Sequence, residues 1–215
     1  MTNLKNIIEN FKPVDVIDET IKETLQILSD FSDLKITILE KIIERNLISG
    51  TFSDSDFKVP ISNIIIKESG QTIQNIENED TFIDNILIYL KGIFKCDKDM
   101  ADILIKKITK ELIQTIKKDN KETIFSLIAP EGFNIIRYDL AFHNKPLSSK
   151  KIREKVHNNF SYVIVKSLVN TRKLVFNDFF SLYSTLLKKY FGENNEKIKK
   201  NLAEMREIYS ISLSE

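Results

Sequence analysis

The sequence predicts a mainly α protein: a multi-helix bundle with a small two-stranded β element at about residues 57–67 and 134–143. Two observations lead there. Apolar residues recur at helical spacing through most of the chain. Only those two stretches depart from it, one rich in β-branched residues and the other alternating with a period of two. A third observation bounds the size. With 215 residues, 42% of them hydrophobic and 29% charged, the chain can build one sizeable core. The reading is a single helical domain, 1–215. The alternative is two subdomains, 1–50 and 80–215, joined by an irregular segment, 51–79.

The elements follow in order. Val16, Ile17, Ile21, Leu25 and Leu28 form one stripe over residues 15–30. Leu34, Ile38, Leu39, Ile42 and Ile43 form the next over 32–48, with Gly50 as its stop. The segment "DTFIDNILIYLKGIF", capped by Asp80, is apolar on nearly all sides and should be central. Ile105, Ile108, Leu112 and Ile116 mark a helix over 99–117. Residues 121–129 read as a short helix, ended by Pro-Glu-Gly. Ser148 and Ser149 can cap a helix from Lys150, which the apolar run Phe160 to Val169 continues or follows. Asn177 or Asp178 can cap the next helix, carrying Phe179, Tyr183, Leu186, Leu187 and Tyr190, with Gly192 after it. Ile198, Leu202, Met205 and Tyr209 give the last helix its apolar face.

The two exceptions are "FKVPISNIII" and "NIIRYDLAFH". In the second, Ile136, Tyr138, Leu140 and Phe142 alternate with Arg137, Asp139, Ala141 and His143, as in a half-buried strand. Since a lone strand leaves its backbone unsatisfied, the two are expected to pair in a ribbon beside the helices.

Composition excludes several function classes. Cys96 is the only cysteine, so no intramolecular disulfide and no cysteine-based zinc site is expected. The first 11 residues lack a secretory pattern, and "FSYVIV" and "ILIYL" are far shorter than the roughly 20 residues of a membrane span. A cytoplasmic, soluble protein without membrane insertion is the expectation. Abundant Ile, Lys and Asn fit an A+T-rich genome, which accounts for many lysines without a partner. Net charge is +1, yet residues 1–100 hold 11 basic and 18 acidic side chains and the rest 21 and 13. Such polarity suits assembly, or contact between the basic C-terminal half and a polyanion.

Three candidate sites stand out. Arg137 and His143, an R-x5-H spacing, resemble the R-x4–6-H signature of HEPN-type ribonucleases. The resemblance implies a His that moves protons and an Arg that stabilises the charged intermediate. Asp139 would share their strand face, which the pattern otherwise assigns to solvent. Glu154 and His157 have the i, i+3 spacing of a di-iron bundle ligand pair, but the second pair that such a centre needs is lacking. Lys145, Lys150, Lys151, Arg153, Lys155, Lys166, Arg172 and Lys173 form a basic run suited to phosphate. Ile152, Val156, Ile164 and Leu168 could core a helix-turn-helix there.

Lesser signals are bland. Asp54 and Asp56 lack the rest of a calcium loop, and no Gly-rich phosphate loop or H-E-x-x-H is present. Glu40 with Glu44, and Glu204 with Glu207, read as exposed helix carboxylates, and Cys96 beside Lys95 and Lys98 as an incidental thiol. No metal or cofactor is called for. The favoured reading is an intracellular interaction protein whose partner is another protein or a second copy. Nucleic-acid binding through 145–173 comes next, and a HEPN-like ribonuclease after it.

Overall fold

A computed structural model describes residues 19–52, 55–74, 79–96, 98–117, 121–146, 158–192 and 196–214. In chain order they form α1 (Glu19–Ser49), β1 (Thr51–Phe52), β2 (Ser55–Lys58), β3 (Ile61–Gln74), α2 (Glu79–Ile93), α3 (Lys98–Lys117), β4 (Lys121–Glu131), β5 (Asn134–Pro146) and β6 (Asn158–Val169). A 3-10 turn (Thr171–Lys173), α4 (Phe176–Phe191) and α5 (Glu196–Ser214) complete them.

The fold is α+β, which corrects the expected helical bundle. Strands β3, β6, β5 and β4 make a four-stranded antiparallel sheet in that order, and β1 and β2 pair separately. Of the two stretches expected to form a ribbon, the first spans the end of β2 and the start of β3 and the second is most of β5, and β6 lies between β3 and β5. Residues 51–79, read as irregular, contain β1, β2 and the 14-residue β3. Residues 121–129 are not a short helix but most of β4, and Phe160 to Val169 is strand β6. The expected helix-turn-helix therefore fails, since Ile164 and Leu168 lie on that strand. The physical reason is common to both segments. A strand covered on both faces needs no polar alternation, so its apolar run looks like a buried helix.

The helical readings elsewhere hold, with changed bounds. The helical stripes over residues 15–30 and 32–48 belong, in their described part, to one helix, α1, which no Gly or Pro interrupts. It stops at Gly50, whose φ of 73° places it in the left-handed region. The β4–β5 hairpin turns on Gly132 and Phe133 between paired Glu131 and Asn134, with Gly132 at φ 58° as a two-residue turn requires. Helix α4 starts after Val175 without a side-chain cap, so Asn177 and Asp178 fall inside its first turn rather than before it. Gly192 is its C-cap.

Both faces of the sheet are covered. On one, Leu39, Ile43 and Leu47 of α1 pack on Ala141, Val163 and Val165. On the other, Tyr138, Leu140, Phe142, Tyr162 and Ile164 share a core with α2 to α5, including Leu90, Ile108, Phe179 and Met205.

Candidate functional site

Alternation along β5 sends Arg137, Asp139, Ala141 and His143 to the face under α1. All four are buried; Arg137 is 0% exposed. Its guanidinium donates five hydrogen bonds. Nε reaches Asp139 Oδ2 at 2.8 Å and Nη2 reaches Asp139 Oδ1 at 2.7 Å. The others go to backbone carbonyls: Gly50 at 3.2 Å, Val59 at 2.7 Å and Thr51 at 2.6 Å. Ser126 Oγ donates to Asp139 Oδ1 at 2.6 Å, closing the network from β4. Five donors is the whole capacity of an arginine, so none is left for a phosphate. Arg137 fastens the end of α1 and the start of β1 to the sheet.

His143 lies on the same face, six positions along the strand and so about 20 Å away. It is buried against Phe31, ring centroids 6.0 Å apart. Burial, reinforced by the Lys35 charge, lowers its pKa to about 4, so it is neutral near pH 7. Arg137 and His143 thus share a face but do not converge on one position, and the face is not solvated as the alternation suggested.

The basic candidates also separate. Lys145 sits with its ammonium 3.8 Å from the Phe31 ring centroid, near the end of β5 where it pairs with Asn159. Arg172 and Lys173 are exposed beyond the opposite end of β6, roughly 30 Å away. Lys150, Lys151, Arg153 and Lys155 lie outside the described residues, as do Glu154 and His157.

Lys166 turns inward on the other face. Its ammonium is 2.5 Å from Glu131 Oε2 and donates to the Ile93 carbonyl at 2.8 Å. The Tyr138 hydroxyl and the Lys95 backbone N–H both donate to Glu131 Oε1. Burial, helped by Glu131, holds the Tyr138 proton well above the ordinary tyrosine range. Sequence reasoning missed Glu131. The signal available was Lys166 itself, a lone charge in an apolar run, which requires a buried counter-charge.

Among the described residues no group of three His, Cys, Asp or Glu side chains could hold a metal ion. Nor is any helix there long and apolar enough to cross a membrane. The buried ion pairs are internal, whereas several large apolar side chains face outward. Ile27, Leu34, Ile38 and Ile48 on α1 are 68%, 59%, 41% and 88% exposed. Near the last of them, Leu47, Ile48, Pro60, Ile61 and Ile64 line a groove of about 480 Å³ beside edge strand β3. Glu40 and Glu44 tie α1 to that strand through Ser69 and Lys67, both at 2.8 Å, and Lys67 holds the Glu44 carboxyl below its usual range. No protein-family model and no curated protein sequence matches the chain.

Proposed function

We propose that this chain acts by binding another protein, through the outward face of α1 and the adjoining edge of β3. The supporting observation is the contrast between its two kinds of surface. Four large aliphatic side chains stand exposed along α1, with Ile64 and Ile65 on β3 at 45% and 49%. The charged groups that could do chemistry, Arg137, Asp139, Glu131 and Lys166, are committed to each other. Large exposed apolar side chains interspersed with charge are a common mark of a protein contact. The half-buried thiol of Cys96 suits a reducing interior such as the cytoplasm.

The test compares wild type with a Leu34→Glu, Ile64→Glu double variant, both positions being exposed enough to spare the core. Self-association, or a partner reconstituted from purified components and lost in the variant, supports the reading. A wild-type chain that stays monomeric at high micromolar concentration and holds no partner removes it.

A further inference from the structure

We infer that the partner on the α1 face is a second copy of this chain, docked antiparallel through α1 about a two-fold axis near residue 36. The inference rests on the protein-binding reading above and names its occupant.

Residues 27, 34, 38, 41, 45 and 48 follow each other at spacings of three, four or seven, or multiples that keep them on one line of a helix. That line reads Ile27, Leu34, Ile38, Lys41, Arg45, Ile48, and every member is exposed. It is not uniform in charge. The exposed acids Glu23 and Asp30 lie in the first half of α1, and the exposed bases Lys41 and Arg45 in the second, with Leu34 and Ile38 between, while Asp33 accepts from Gln71 of β3 at 3.0 Å. The carboxylates of the second half, Glu40 and Glu44, are drawn sideways to Ser69 and Lys67 of β3. The ridge is therefore a small self-complementary strip: negative, apolar, positive.

A two-fold axis near residue 36 sets Leu34 against Ile38 of the partner subunit, and Ile38 against Leu34 of the partner subunit. The same operation brings Asp30 within one helical turn of Lys41 and Arg45 of the partner subunit. Ile27 then lies against the aliphatic stem of the partner's Arg45. Parallel docking would instead oppose Asp30 to Asp30 and Arg45 to Arg45, which is repulsive. An isologous contact of this kind closes on itself and gives a dimer rather than a filament. The helix is already packed on the sheet by Leu39, Ile43 and Leu47, so little ordering is needed on docking.

Sedimentation of the full chain over a range of concentration and salt tests this. Wild type should form a dimer that weakens with salt, as rim charges are screened. Leu34→Glu should be monomeric with unchanged circular dichroism. Asp30→Lys should weaken the dimer about ten-fold or more, and adding Lys41→Asp and Arg45→Asp to it should restore the dimer. A dimer indifferent to Leu34→Glu and to the charge swap overturns the seam. A monomeric chain that binds a different protein through Leu34 overturns the inference yet leaves the protein-binding reading standing. A chain with neither property removes both.

Discussion

Replacing Arg137 by Met should test whether this residue is structural. The side chain is fully buried, and Met fills similar space without the charge. The variant leaves the Asp139 carboxylate, 1% exposed, with only Ser126 as a direct partner. It also frees the Val59 and Thr51 carbonyls, while Gly50 keeps a bond from the Val59 N–H at 2.6 Å. Thr51 is exposed and water can replace its loss, so the main cost is the orphaned carboxylate. Breaking a buried ion pair from one side costs about 3–5 kcal/mol. For a domain of this size that lowers Tm by roughly 6–20 °C. Urea unfolding followed by circular dichroism reads it directly. Changing Asp139→Leu as well should recover part of the loss, with a coupling of about 2 kcal/mol or more. A single-variant loss below about 1 kcal/mol, or strict additivity, would refute the clamp.

Three further outcomes are expected. His143 is depressed from 6.5 to about 4, so the unfolded chain binds the extra proton between those values. Its contribution is intact above pH 6.5 and falls as pH drops toward 4, by on the order of 1–3 kcal/mol. Urea midpoints of wild type and His143→Gln should differ in slope only in that window, and parallel profiles would rule this out. At Gly70 an added Cβ would meet the Tyr162 hydroxyl at 2.7 Å and its ring at 3.0 Å. Gly70→Val should therefore cost about 1–3 kcal/mol in chemical denaturation, whereas an unchanged midpoint would show that Tyr162 moves freely. Lys166→Met should cost about 3–5 kcal/mol by removing the ammonium paired with buried Glu131 Oε2, and Glu131→Gln in the same chain should return part of it. Equal midpoints for the single and double variants would contradict the pairing.

Helices α1, α3, α4 and α5 were legible because each buries one side and leaves the other wet, which is the condition that produces a 3.6-residue rhythm; α2, expected to be central, instead has Ile88 63% exposed. Leu39, Ile43 and Leu47 keep that rhythm against the sheet. β5 was legible as a strand for the parallel reason, since its two faces differ in polarity. β6 was not. Val163 and Val165 meet α1 while Tyr162 and Ile164 meet the other core, so neither face is marked by polar residues. β4 fails likewise, with Phe125, Leu127 and Ala129 on one side and Ser126 and Ile128 buried on the other. Length and β-branching were the remaining cues: a run of about nine residues bounded by Lys-Asp-Asn and Pro-Glu-Gly is short for a helix and natural for a strand.

Polarity misled at β5 in a different way. Arg137, Asp139 and His143 were assigned to solvent because a polar face normally is one, yet burial follows from satisfied hydrogen bonds rather than from hydropathy. Arg137 can lie under α1 because Gly50 and Thr51, just past that helix, and Val59, just past β2, offer carbonyls, and β5 itself offers Asp139 two residues on. None of those carbonyls has a sequence signature, so the acceptor set could not be read in advance. The consequence reaches the outer surface. Because polar groups fasten the inner side of α1 to the sheet, the helix is held at its C-terminal end by Arg137 and along its middle by Leu39 and Ile43. Its outer ridge is thereby fixed in orientation, and Leu34 and Ile38 stay in water without a way to rotate inward. In the proposed dimer it is this fixed ridge that a second copy, with its charges running the opposite way, would cover.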